Sequence, residues 1–358
     1  MMIVLLSLVA PSQGTGEGVA VHVAINPAVP SAGGPRQPTA LAFANTTTGC
    51  VGGRYLILCT TNEGHSWQDR YKGADILQLA FTDQARGWAV APSLLLVTND
   101  GGRSWHRRSL LPGLSAVDFL NRSDGWAITG HGLFVTHNGG QTWAQGGIAQ
   151  VMKAVSFADP QHGWCLGADD TVYATTDGGR LWTRQWQAIV GADWQGTDNG
   201  QLRFTDVHTG WLLLTLQVGC GSQAPYILYH TSDGGRRWVP ALVTSAACRG
   251  GHYPAVPTTL GPTGYVGGMD VMGARVWLSV QAPAVKRGEV DVTVTYDDGR
   301  TWTYTNPVVG DATEAITTVA FVTGRVGWVV TGHEPRAPLG GRIFHTTNGG
   351  HSWIYQFG

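Results

Sequence analysis

The carboxylates are the groups with which this chain could do chemistry, and most of them recur in one frame. Seven segments, CTTNEGHSW, LVTNDGGRSW, FVTHNGGQTW, YATTDGGRLW, YHTSDGGRRW, VTYDDGRTW and FHTTNGGHSW, each end on a tryptophan. Counting back from Trp67, Trp105, Trp143, Trp182, Trp238, Trp302 and Trp353, each copy has Thr at minus seven, Asp or Asn at minus five and Gly at minus three. The acid or amide positions are Asn62, Asp100, Asn138, Asp177, Asp233, Asp297 and Asn348. Glycoside hydrolysis would need two carboxylates converging about 5 to 9 Å apart at one opening. A residue repeated two places before a glycine in every copy fits a turn better, and Asp83, Asp159 and Asp206 also fall at strand turns. Asp193, Asp270, Asp311 and Glu314 remain, and nothing in the sequence pairs any of them. The twelve histidines are scattered. His230 and His345 share one repeat position, just before the hairpin Thr, and read as solvated strand ends rather than metal ligands. No H-E-x-x-H, G-x-S-x-G or P-loop pattern occurs. No catalytic residue, metal or cofactor is expected.

The elements that carry these residues follow from the repeat. Thr-x-Asp-x-Gly-x-x-Trp makes a self-contained hairpin tip: the Asp or Asn accepts turn amides, the Gly takes the turn dihedral, and the Trp folds back as a small local core. Upstream stand FTDQARGWAV, FLNRSDGWAI, FADPQHGWCL, FTDVHTGWLL and FVTGRVGWVV, with Phe81, Phe119, Phe157, Phe204 and Phe321 seven residues before a Trp. Phe43 stands likewise before Cys50. The two elements together give four short strands per unit, the content of one propeller blade. The spacing predicts an all-β, seven-bladed β-propeller of four-stranded antiparallel blades, one hairpin box per blade, over residues 40–358. Blades fall at about 40–70, 76–107, 114–146, 151–186, 201–240, 265–305 and 316–357. Blade six is degenerate; aligning Trp277 with the other Gly-Trp tryptophans preserves the 25-residue step seen from Trp328 to Trp353.

Composition agrees. Charged residues are 13% against a usual quarter or so, and the formal net charge is −1 with no Lys/Arg run, which removes the electrostatic basis for nucleic-acid binding. Residues 1–18 carry an apolar run, Ile3 to Ala10, that resembles the end of a secretory signal; a short disordered terminus is the alternative. No segment is long and apolar enough to cross a membrane as a helix. Residues 19–39 read as a strand, VAVHVAI, pairing with the outer edge of the last blade, and a linker. Five cysteines fit an extracytoplasmic chain. Cys220 with Cys248, and Cys50 with Cys59, are the disulfide candidates, and Cys165 reads as a buried thiol. Thirteen of the fifteen tryptophans belong to the repeat; Trp186 and Trp194 do not. With Asp193 they mark the loop-rich face of blades four to seven as a binding surface, with insertions at 186–200, 218–226, 240–264, 283–290 and 332–342.

The hairpin is the Asp-box, or BNR repeat, of sialidases, sortilin-type receptors and some endoglucanases. Seven boxes paired with F-x-D-x-x-x-GW strands resemble the photosystem II stability/assembly factor family of seven-bladed propellers, over nearly the whole chain beyond residue 40. That resemblance implies a non-enzymatic scaffold that binds a membrane-protein partner through a basic surface patch, although no arginine concentration is legible here. The F-R-I-P signature of sialidases is absent. Xyloglucan-cleaving relatives set two propellers face to face, and this chain supplies one. The expectation is an exported, monomeric, non-enzymatic propeller that recognises a protein or glycan partner. The alternative is a glycoside hydrolase using two of the four leftover acids. Carbohydrate binding without hydrolysis would require Trp186 or Trp194 to stand exposed as a stacking platform.

Overall fold

The computed structural model describes residues 24–25, 38–188, 197–216, 226–244, 259–261, 265–281, 289–309, 315–332 and 341–357. They form seven antiparallel sheets whose innermost strands neighbour one another in a closed ring, with the blade-seven strand Ala315–Phe321 beside the blade-one strand Pro38–Phe43. Each blade runs in chain order from the channel outward, as in Gln78–Phe81, Gly87–Ala91, Leu94–Thr98 and His106–Leu110 of blade two. Blade five adds a parallel outer strand, Thr259–Gly261, beside Val239–Thr244.

The N-terminal strand departs from expectation. Ala24 and Ile25 pair with Leu79 and Gln78 on the channel edge of blade two, not with the outer edge of blade seven. The ring has no need of an exchanged strand, because blade one takes its four strands from the N-terminal end and blade seven its four from the C-terminal end. Side chains close it instead. Gln356 donates from Nε2 to the Glu63 carbonyl at 2.7 Å and accepts from Trp328 Nε1 at 3.1 Å.

The Phe and Trp of the repeat build the seams between blades. Five of the six Phe lie flat against the Gly-Trp tryptophan of the preceding blade: Phe43 on Trp328 at 3.5 Å between ring centroids, Phe119 on Trp88 at 3.9 Å, Phe157 on Trp126 at 3.4 Å, Phe204 on Trp164 at 3.6 Å, and Phe321 on Trp277 at 3.9 Å. The hairpin Trp of the same blade then meets that Phe across its edge, with centroids 5.7 to 6.3 Å apart. The hairpin tryptophan is therefore part of the shared core rather than a local one.

This stacking also explains the glycine before the strand Trp. A Cβ on Gly49, Gly87, Gly125, Gly163, Gly210 or Gly327 would come within 2.3 to 2.7 Å of its own blade's Phe ring. Blade six has Val271 at the Phe position and Val276 at the Gly position, so the loss of the ring removes the need for the glycine. There Trp211 of blade five meets no Phe across the seam and lies 4.3 Å from His230 of its own blade. At the other irregular seam Cys50 takes the Trp position and is bonded to Cys59, directly opposite on the next strand.

Neighbouring inner strands share no ladder, so side chains satisfy their backbone edges. Gln78 of blade two bonds both Val117 N and O of blade three, and Gln201 of blade five bonds Gly267 O and Met269 N of blade six. Asp118, Ser156 and Asp270 each accept the N–H of the next blade's Phe: Phe157, Phe204 and Phe321.

His230 and His345 are not solvated strand ends. Each sits opposite and against the Trp of its own blade, His345 on Trp328 at 4.6 Å, and burial lowers the pKa of both rings. A histidine whose folded pKa lies below its ordinary 6.5 leaves the folded state binding fewer protons than the unfolded one. Its contribution is therefore fully present above that value and lost as pH falls through it. Chemical denaturation as a function of pH should show a stability decline beginning below pH 6.5. His230→Gln/His345→Gln should flatten that decline, and an unchanged profile would refute the assignment. Phe119→Ala should remove both the stack on Trp88 and the edge contact with Trp143, lowering unfolding stability by about 3–5 kcal/mol. Denaturation midpoints check it, with a loss below about 1 kcal/mol counting against the seam account.

Candidate functional site

The seven box residues are committed to their hairpins. In every copy the Thr hydroxyl donates to the Asp or Asn Oδ1 at 2.8 or 2.9 Å. The same hydroxyl accepts the N–H of the box glycine. The Oδ1 also accepts the amide four residues on, as in Ser104, Leu181 and Arg237. These bonds favour the ionised form, and Asp100, Asp177, Asp233 and Asp297 all have lowered pKa values; for Asp177 the Leu181 amide contributes most, and for Asp297 the Thr301 hydroxyl. Trp67, Trp182, Trp302 and Trp353 donate their indole N–H to the box glycine carbonyl, whereas Trp143 reaches Ser109 of the preceding blade.

Of the four leftover acids, only Asp270 lies within the described residues; Asp193, Asp311 and Glu314 lie outside them. Asp270 shares a cavity of about 20 Å³ with Asp118, Gln201 and Arg203 on the inner strands of blades three, five and six. That is room for about one water molecule. Asp118 is buried, 3.7 Å from Arg203 Nη1, and burial raises its pKa against the pull of that charge. Its signal in the sequence was its place just before Phe119, where blade six carries Asp270 and the other blades carry Ala42, Ala80, Ser156, Arg203 and Ala320. Both carboxylates bind a neighbouring blade's backbone, as described, and together they act as clamps of the inner ring. Among the described residues no three His, Cys, Asp or Glu side chains gather closely enough to hold a metal ion.

The tertiary structure does assemble a cationic site that the sequence did not display. Arg86 and Arg122, on the first turns of blades two and three, converge with Arg108 from the outer strand of blade two. Arg122 binds Asp83 through two bonds of 2.7 and 2.9 Å. Arg108 donates to the Gly139 and Asn138 carbonyls at 3.1 and 3.2 Å. Arg86 bonds Asn99, and its guanidinium lies 5.1 Å from the Trp88 ring centroid. Burial, then repulsion from Arg108 and Arg122, lowers the Arg86 pKa, with Asp83 opposing. Three guanidiniums close enough to repel one another, with Asp83 paired directly to Arg122, leave a local excess of positive charge suited to an anionic group from outside.

Of the residues expected on the loop-rich face, Trp186 lies instead on the outer strand Thr183–Gln187 of blade four, half-buried, 5.2 Å edge-on to Tyr229 and 6.0 Å from Trp238 of blade five. Trp194 and the pair Cys220 and Cys248 lie outside the described residues. A disulfide joins Cys50 and Cys59, and Cys165 is a buried thiol whose pKa burial raises.

Residues 146–247 match the family described as photosynthesis system II assembly factor YCF48. No curated protein sequence matches the chain. Among solved structures, YCF48 from Cyanidioschyzon merolae is 16% identical with a TM-score of 0.58, covering 91% of this chain and 99% of that one. A structure described as YCF48 bound to D1 peptide is 19% identical with a TM-score of 0.54, covering 79% of this chain and 81% of that one. The GH74 xyloglucanase from Xanthomonas campestris is 12% identical with a TM-score of 0.59; the match covers 94% of this chain but 56% of the enzyme. At these identities the likeness is one of fold. The chain is a seven-bladed Asp-box propeller that resembles the photosystem II assembly-factor family.

Proposed function

We propose that this protein is a non-enzymatic, extracytoplasmic scaffold that binds a protein partner, using the arginine seam between blades two and three to hold an anionic segment of that partner. The observation that carries this reading is the convergence of Arg86, Arg108 and Arg122 at one seam, where Asp83 pairs directly with Arg122. The solved YCF48 with its bound D1 peptide lends support, since it shows a similar propeller taking a peptide. The loop-rich face of blades four to seven, with Asp193 and Trp194, is the second surface considered.

A glycoside hydrolase is the competing reading, favoured by the GH74 likeness and by Asp118 and Asp270 sharing one cavity. Against it, both carboxylates accept backbone N–H groups, and their cavity admits about one water molecule, not a sugar ring.

Affinity capture with the full chain tests the proposal. Arg86→Gln/Arg108→Gln/Arg122→Gln should lose the captured partner, while removal of residues 189–196 should leave it bound. Retention by the triple variant with loss in the loop deletion would move the site to the other face. Hydrolysis of xyloglucan or sialosides by the wild type, abolished in Asp118→Asn/Asp270→Asn, would establish the enzyme reading instead.

A further inference from the structure

One position of the repeat can bridge a blade to the hairpin of the next, and blade three, like blade five with Ala241, lacks a side chain long enough for it. Three residues after the hairpin Trp stand Arg70, Arg108, Gly146, Gln185, Ala241, Thr305 and Gln356. Two of them show what a long side chain does there. Arg108 donates to Gly139 O and Asn138 O of blade three, and Gln356 donates to Glu63 O of blade one. Gly139 and Glu63 occupy the same place in their hairpins, one residue after the box Asn. The equivalent carbonyls facing blade three are those of Asp177 and Gly178, and the residue that should reach them is Gly146.

The consequence is a groove of about 750 Å³ between blades three and four, walled by Val135, Ala144, Gly146 and Gly147 on one side and by Pro160 and Asp177–Gly179 on the other. The outer strand of blade three is cut short to Ala144–Gln145, against five residues in blades one, two and four. Past it the chain crosses to blade four, where Gly147 N donates to Gly179 O at 2.8 Å. Of the acceptors, Gly178 O takes the Trp126 indole N–H and keeps its second lone pair. The Asp177 carboxylate adds negative charge at the mouth, partly offset by Arg180 of the same hairpin.

We propose that this groove is an open slot for an arginine side chain supplied by a partner protein, whose guanidinium donates to the Asp177 and Gly178 carbonyls as Arg108 does to Asn138 and Gly139 one seam earlier. The proposal rests on the protein-binding reading above and extends it. The arginine seam and the slot flank the same blade-three hairpin, so the partner would present an acidic residue to one side of it and an arginine to the other. A guanidinium matches paired carbonyl acceptors in a fixed geometry, which an ammonium does not reproduce.

The test uses the full chain and N-acetyl-arginine methylamide as probe, with the norleucine analogue as control, followed by amide chemical shifts. Saturable shifts are expected at Gly146, Gly147, Gly178 and Gly179 with the arginine probe alone. Gly146→Arg, which fills the slot from within, should abolish them. Gly146→Ala should retain both the fold and the shifts, since a Cβ there meets the Gly179 and Leu133 carbonyls at 3.2 and 3.3 Å and demands only a small adjustment. Equal shifts with norleucine, shifts mapping elsewhere, or shifts surviving in Gly146→Arg would overturn the proposal. So would a wild-type dimer that Gly146→Arg dissociates, because the occupant would then be a second copy. Capture lost in the triple arginine variant but intact in Gly146→Arg sinks the slot alone. Capture intact in the triple variant, with the probe shifts present, sinks the seam reading alone.

Discussion

Five of the seven seams in this ring rest on one aromatic plane. A phenylalanine on the inner strand of each regular blade is covered on its face by a tryptophan of the blade before and met on its edge by a tryptophan of its own hairpin. Adjacent sheets share no ladder, so this contact, with the burial of large rings that comes with it, holds the blades at a fixed spacing. The glycine before each strand Trp, the turn that follows the Phe and the return of the hairpin all serve it. Where the ring is absent, in blade six, the glycine is absent as well.

The second demand is polar. Inner strands present backbone groups to a narrow channel, and hairpin tips present amides that a ladder cannot reach. Carboxylates and amides meet both needs: the seven box residues inside their hairpins, and Asp118, Asp270, Gln78 and Gln201 across the inner ring. This is why so many acids coexist with so little evidence of acid–base chemistry. The groups that the repeat does not consume, guanidiniums at one seam and the carbonyls of Asp177 and Gly178 at the next, are those on which the proposed recognition draws.

The histidines show where reading by residue type fell short, and Cys50, Cys59 and Cys165 show where it held. His230 and His345 share a position that faces a tryptophan only once the strands pair, so solvation was the natural inference from a strand-end location and packing was the outcome. Cys50 and Cys59 stand on adjacent strands in direct register, and that register follows from the repeat itself. The N-terminal strand went to the channel because the ring closes through Gln356, Trp328 and the Phe43 stack, leaving the outer edge of blade seven without a role in closure.

Spacing alone determined the architecture. Thr, Asp or Asn, Gly and Trp at fixed intervals specify a hairpin through local hydrogen bonds, and local rules can be read from consecutive residues. Seven such copies at blade-length steps specify a propeller. What only the tertiary structure decided is which residues meet across a seam. Arg86, Arg108 and Arg122 come from different strands of two blades, and the vacancy at Gly146 becomes a groove only because Asp177 and Gly178 stand opposite it. Sequence order carries no distance between such groups; blade-to-blade packing does, and the surfaces available for recognition arise there.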